Sequence, residues 1–149
     1  MSADEGQVAG NPVVEGGSQV DWEEAGDRSK RRVLVIEDDP HITDLLSDVL
    51  SGDGYTVTSA DSVLGAATLI RRFRPCAIVL DLGLPYRSGA SLLSDLKADP
   101  DTAHISVIVV SALPETLTPE RRALAAKVLA KPISIRDLLR AVNDACPPS

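Results

Sequence analysis

Acidic side chains directly follow two apolar runs of the sequence. Glu37, Asp38 and Asp39 come after the run VLVI, and Asp81 comes after the run AIVL. An unpaired carboxylate beside an apolar strand is costly in free energy, so acids rarely stand there by chance. Four carboxylates that converge on one crevice would repel one another unless a cation neutralised them. An all-oxygen ligand set suits Mg²⁺, which we predict as the bound metal.

A hydroxyl and an ammonium group follow two further apolar runs. Ser111 comes after VIVV, and Lys131 comes after VLA. Each residue alone is typical of a turn or a surface loop, but their joint position at run ends places them in the candidate site. Asp39 has two open interpretations. It could belong to the acidic site, or it could cap the helix that follows, as an acid directly before a helical pattern commonly does.

From Val33 onward, short aliphatic runs alternate with amphipathic segments. The runs predict strands at 33–36, 55–58, 76–80, 107–110 and 127–129, and the segments predict helices at 41–51, 62–72, 90–98, about 119–126 and from Ser134. Regular alternation predicts an α/β fold, with a five-stranded parallel sheet covered by helices on both faces. The functional crevice of such a sheet lies at the carboxyl ends of its strands, where the candidate residues stand.

Caps and prolines set the ends of the predicted helices. We expect Gly52 to stop the first helix and Ser134 to cap the last one. Pro114 and Pro119 interrupt the segment after the fourth strand. The fourth helix is therefore expected to begin at about Pro119 and to have about two turns.

Charge and composition divide the chain of 149 residues. Its formal net charge is −7, which argues against direct nucleic-acid binding through phosphate contacts. Residues 1–30 hold seven acids, two bases and half of the ten glycines, so we predict a disordered tail there, a folded domain over 31–146 and a short tail over 147–149. The only tryptophan, Trp22, stands among acids; a docking motif is one interpretation, and an unpartnered side chain is the more common one.

The cysteines and the absence of long apolar segments bear on the cellular compartment. Cys76 and Cys146 are too few for a disulfide framework, so we expect both to be reduced. No stretch approaches the ~20 apolar residues of a membrane helix. The first residues also lack the basic and apolar regions of a secretory signal. We therefore expect a cytoplasmic protein without membrane insertion.

Four blocks of sequence resemble the signature of the receiver domain of two-component response regulators, the chemotaxis-receiver-like family. The blocks are VLVIEDDP, AIVLDLGLP with Gly89, VIVVSA and VLAKPIS. The resemblance covers about residues 31–146 and implies a doubly wound, flavodoxin-like sheet of order 2-1-3-4-5. It also implies a self-phosphorylating receiver that can dephosphorylate itself, and not a conventional enzyme.

The resemblance implies a role for each matching residue. Asp81 would accept a phosphoryl group from a phosphohistidine on a sensor histidine kinase or a histidine phosphotransferase. Glu37 and Asp38 would hold Mg²⁺ with Asp81, and the backbone carbonyl of Gly83 would be a further ligand. A nucleophilic carboxylate beside a metal site suits in-line phosphoryl transfer, in which a protein mainly positions the reacting groups and neutralises the charge on the transferring oxygens.

The resemblance also gives roles to Lys131 and Ser111, which would each contact a phosphoryl oxygen. In the family this serine or threonine is usually coupled to an aromatic residue three positions before the lysine, where this chain has Val128. Ile133 likewise replaces a common aromatic residue. We therefore expect the switch pair, Ser111 and Val128, to work without an aromatic rotamer change.

Several outputs are consistent with these residues. Because the chain ends at Ser149, soon after the last predicted helix, we expect a single-domain response regulator that contacts a downstream protein. A phosphorelay intermediate, a phosphate sink and an unphosphorylated pseudo-receiver are alternatives. A phosphatase of the haloacid dehalogenase type is disfavoured, because it needs an Asp-x-Asp motif after the first strand and EDDP lacks that spacing.

Overall fold

A computed structural model of the chain describes residues 31–83 and 89–147. The predicted disordered tail over 1–30 lies outside these residues, as do most of the predicted tail over 147–149 and Pro85 of the second signature block. The helix and strand bounds below therefore refer to the described ranges.

Within the described ranges, five parallel strands form one sheet in the order β2-β1-β3-β4-β5. The strands are β1 Arg32–Ile36, β2 Thr56–Ala60, β3 Ala77–Asp81, β4 Ser106–Ser111 and β5 Lys127–Ala130. This confirms the predicted fold class and strand order. Strands β1 and β3 are buried along their whole length, because helices cover both faces of the sheet.

Five α-helices connect or follow the strands in the part of the chain that the structure describes. They are α1 Pro40–Gly52, α2 Val63–Phe73, α3 Gly89–Ala98, α4 Pro119–Arg122 and α5 Ile135–Ala145, with a short 3-10 turn at Pro114–Thr116. The side chain of Ser134 accepts the Asp137 N–H at 3.2 Å, which confirms the predicted cap of α5. Asp39 caps α1 in the same way, through the His41 N–H at 2.9 Å.

One predicted helix end is confirmed and one is wrong. Helix α1 ends at Gly52, as expected, and the backbone position that requires glycine is Gly54, with a φ of 97°. Helix α4 ends at Arg122 and not at Ala126. The physical reason is the approach to β5: the Ala126 N–H donates to the Val107 carbonyl at 2.8 Å, so the chain leaves the helix after Arg122 and is already bonded to the sheet when β5 begins at Lys127.

Alternate strand residues build two apolar cores. Leu34 and Ile36 face the core that includes Phe73 of α2. Val33 and Val35 face the core formed with α1 and α5. This period of two is the geometry of a strand covered on both faces. The packing holds the carboxyl ends of the strands at one edge of the sheet.

Cys76 and Cys146 form a disulfide with a Cα–Cα distance of 5.8 Å, so the expectation of two reduced cysteines is wrong. Cys76 directly precedes β3, and Cys146 caps the carboxyl end of α5. In this fold the helices run antiparallel to the strands, so α5 ends at the edge where β3 begins. The Tyr55 hydroxyl, which donates to the Cys146 carbonyl at 2.9 Å, contacts the same helix end.

Removing the disulfide is expected to lower the free energy of unfolding. The bond spans a sequence separation of 70 residues, and closing a loop of that size stabilises a protein by roughly 4 kcal/mol by restricting the unfolded chain. The Cys76→Ala, Cys146→Ala double variant and the reduced native chain should show the same loss in urea unfolding. A reducing agent should leave the double variant unchanged. Two free thiols in the unreduced, denatured protein would contradict the bond.

Candidate functional site

Four predicted site residues meet at the carboxyl edge of the sheet. Glu37 and Asp38 follow β1, Asp81 ends the neighbouring strand β3, and Lys131 follows β5. Carboxylate oxygens of the three acids lie within 4.8 Å of one another. The Lys131 Nζ atom lies 3.2 Å from Asp81 Oδ1. The structure therefore brings together the acids and the lysine that the sequence placed in one site.

Asp81 is a buried acid whose charge is partly compensated. Its side chain is 5% exposed, and its Oδ1 atom accepts the Gly83 N–H at 2.9 Å beside the Lys131 ammonium. A buried carboxylate is tolerated when hydrogen bonds and an opposite charge replace its water. The two donors on Oδ1 therefore fix the orientation of the carboxyl group.

Glu37 is buried behind the more exposed Asp38. Its backbone N–H donates to the Ala60 carbonyl at 3.0 Å, and its Oε2 atom accepts the Asp39 N–H at 3.1 Å. Burial raises the pKa of Glu37 to about 7, and the Asp81 carboxylate adds to the rise, whereas the Asp39 N–H and the Lys131 ammonium oppose it. The acidic cluster therefore carries negative charge that its protein neighbours do not fully offset.

The donor set of this cluster fits a magnesium ion. All three side chains offer carboxylate oxygens, and a single ammonium, that of Lys131, forms a salt bridge within the described part of the site. Asp38 is exposed, so the cluster opens to solvent and an ion there could keep several of its waters, as Mg²⁺ prefers. The Gly83 carbonyl stays a predicted ligand; its N–H group is the part that contacts Asp81.

Ser111 is buried at the end of β4 and is joined to Lys131 through the backbone. Its carbonyl accepts the Lys131 N–H at 2.9 Å, and its Oγ atom accepts the Leu113 N–H at 3.1 Å. The bond to Leu113 uses a lone pair of the oxygen, so the hydroxyl proton can still be donated. The contact of this hydroxyl with a phosphoryl oxygen stays a prediction.

Val128 lies in β5 opposite Val109 of β4 and packs, half-buried, against the core that contains α2. An aliphatic side chain therefore occupies the predicted switch position. Ile133 packs against the other core, with α1 and α5. Beside the site, Leu113 is 58% exposed.

Two backbone donors of the site were missed by the sequence analysis. They are the Gly83 N–H on Asp81 and the Leu113 N–H on Ser111. In both cases the donor follows its acceptor by two residues, which is the local turn that Asp and Ser side chains favour. That tendency is the signal from which both contacts could have been predicted.

The affinity for Mg²⁺ is expected to rise with pH around 7. A metal competes with the proton on Glu37, whose pKa lies at about 7. One such proton makes binding about tenfold tighter at pH 8 than at pH 6, which calorimetric titration with MgCl₂ can measure. Glu37→Gln should remove this pH dependence, whereas Asp44→Asn, a change to an exposed acid of α1, should preserve it. Equal affinity of the native chain at both pH values would contradict the prediction.

Comparisons with known proteins agree with this geometry. The sequence model of the response regulator receiver domain matches residues 33–143. The transcriptional regulatory protein KdpE of Staphylococcus aureus is 42% identical over 87 residues, which is 58% of this chain and 36% of that protein. The DNA-binding response regulator MtrA of Mycolicibacterium smegmatis is 31% identical over 91 residues, which is 61% of this chain and 39% of that protein. The chain thus matches little more than a third of the length of these relatives.

A solved structure extends the likeness to the fold. A sensor protein from Polaromonas sp. JS666 has a TM-score of 0.72 and 31% sequence identity, covering 77% of this chain and 94% of that chain. Over 31–83 and 89–147, no helix is both long and apolar enough to cross a lipid bilayer. Together, the matched residues and the shared fold show that this chain belongs to the response regulator receiver domain family.

Proposed function

We propose that this receiver accepts a phosphoryl group on Asp81 from a phosphohistidine of a sensor histidine kinase or a histidine phosphotransferase. The observation that carries the proposal is the Asp81 carboxylate, 5% exposed, which lies 3.2 Å from the Lys131 ammonium inside an acidic cluster. Membership of the receiver family supports it, because receivers take their phosphoryl group from such partners.

The proposed transfer is an in-line displacement at phosphorus. An Asp81 oxygen forms the new O–P bond while the P–N bond to the imidazole breaks. The electron pair of that bond stays on the imidazole nitrogen, which takes up a proton. The Lys131 ammonium offsets charge on one transferring oxygen, and the Ser111 hydroxyl donates to another. The protein thus contributes position and charge, with Asp81 as the only nucleophile.

The acidic cluster would hold the metal in this reaction. Glu37, Asp38 and Asp81 would supply carboxylate oxygens, and Gly83 would supply its backbone carbonyl. A Mg²⁺ ion held there would supply positive charge against the phosphoryl oxygens. Loss of the phosphoryl group from Asp81 to water would then return the receiver to its resting form.

We further propose that this receiver signals by contact with a downstream protein, without direct nucleic-acid contacts of its own. A relay intermediate or a phosphate sink would use the same chemistry and differ only in the partner. KdpE and MtrA are named as a transcriptional regulator and a DNA-binding regulator, and the match covers 36% and 39% of their lengths. The second candidate arrangement is therefore a receiver that is joined to the rest of a regulator of this kind.

Acetyl phosphate and Mg²⁺ should phosphorylate the native chain once. Intact-mass spectrometry should show a gain of one phosphoryl group, lost in Asp81→Asn and abolished when EDTA removes the metal. Asp39→Asn is the matched control, because it changes an adjacent acid whose side chain caps α1 and asparagine caps helices equally well. No mass gain in the native chain would favour a pseudo-receiver and overturn the proposal.

Phosphorylation is expected to change β5 less than the segment after β4. Ser111 can move toward a phosphoryl oxygen and break its hydrogen bond to the Leu113 N–H. Val128 has no aromatic ring that could turn into the space that the Ser111 side chain would leave. Hydrogen exchange with and without beryllofluoride should therefore change most around Leu113 and little across Lys127–Ala130. A change in β5 as large as that in receivers with the aromatic residue would contradict this expectation.

A further inference from the structure

A cavity of about 510 Å³ lies at the edge of the sheet opposite to Asp81. Arg74 directly follows α2 and Ile105 directly precedes β4, so both stand at the edge where the strands begin. The residues that line the cavity are Ile70, Arg71, Arg74, Asp101, Thr102, His104 and Ile105. Two buried aliphatic side chains, Ile70 and Ile105, thus lie beside several polar ones, which is the composition of a site for an amphipathic group.

Arg71 and Arg74 place two guanidinium groups on the rim of this cavity, and the carboxylate side chain of Asp101 also lines it. The Arg71 side chain forms an ion pair with Asp99 at 3.1 Å and is still 63% exposed. Arg74 is exposed and has a φ of 53°, in the left-handed region where helices usually end with glycine. The chain therefore has a long cationic side chain at a position where the backbone favours glycine.

Residues 1–30 join the domain beside this rim. Arg32 begins β1, and its guanidinium donates to the carbonyl of Phe73, the residue before Arg74, at 3.0 Å. Trp22 precedes Arg31 by nine residues, a length of chain that reaches roughly 30 Å when extended. The covalent link therefore keeps Trp22 within reach of the cavity and gives it a high effective concentration there.

The segment 20–24, VDWEE, has the chemistry that complements this cavity. It places three carboxylates around the only tryptophan of the chain, and an indole ring combines a large apolar surface with one polar N–H group. We propose that residues 20–24 bind in this cavity, with Trp22 against Ile70 and Ile105 and the carboxylates on Arg71 and Arg74. A segment that is disordered alone can order on such a surface.

This docking leaves the phosphoacceptor open, because the cavity and Asp81 lie at opposite edges of the sheet. The bound segment would instead cover the end of α2 and the start of β4. Docking is therefore independent of the proposed phosphorylation, and either can fail without the other.

Quenching of Trp22 fluorescence by acrylamide tests the proposal directly, since no other tryptophan emits. The quenching constant of the full chain should be severalfold smaller than that of a synthetic peptide of residues 17–30. Arg74→Glu should raise it to the peptide value. Arg74→Gly should do the same, and because glycine suits the left-handed backbone, its effect cannot come from unfolding. Arg140→Glu, at an exposed position on α5, is the matched control and should retain the protection.

Three outcomes would overturn the proposal. The first is a native quenching constant equal to that of the peptide. The second is protection that persists in both Arg74 variants, which would place Trp22 elsewhere. The third is protection that disappears on dilution, which would assign the cavity to the segment of a second copy. Protection that is independent of concentration and weakened by salt would support docking within one chain.

Discussion

The structure depends on the cost of placing three carboxylates within 4.8 Å of one another at the ends of buried strands. Burial removes screening water from Glu37 and Asp81, so the repulsion between these carboxylates must be offset locally. Lys131 offsets one charge, the backbone N–H groups of Gly83 and Asp39 stabilise two of the carboxyl groups, and the raised pKa of Glu37 shows the repulsion and burial that remain. The negative charge that remains suits a cation, and a cation together with the Lys131 ammonium suits an anionic phosphoryl group.

Much of this site could be predicted from the sequence, because chain order alone puts strand ends at one edge of a parallel sheet. The predicted order 2-1-3-4-5 makes β1 and β3 neighbours, so Glu37 and Asp81 must meet once the strands pair. The local contacts of the site follow from a different cause. Asp39 caps a helix, and Gly83 and Leu113 donate backbone N–H groups to the side chains of Asp81 and Ser111 two residues before them, through local turns that Asp and Ser favour.

Contacts between residues that are distant in the sequence do not follow from local patterns. Cys76 and Cys146 are far apart in the chain, and a total of two cysteines does not by itself indicate a disulfide. They meet because a helix that follows a parallel strand returns to the edge where the strands begin. The early end of α4 has a similar cause, since the bond from Ala126 to Val107 belongs to the sheet and outweighs the local preference for helix.

The attachment of α5 determines how this helix can move. Its carboxyl end is bonded covalently to the residue before β3 and contacts the Tyr55 hydroxyl, while its amino end follows Lys131 after three residues. One end is therefore fixed to the sheet, and the other is joined to the group that would meet a phosphoryl oxygen. The covalent bond therefore restricts displacement at the carboxyl end of α5 more than at its amino end, which is the end nearer to the lysine of the site.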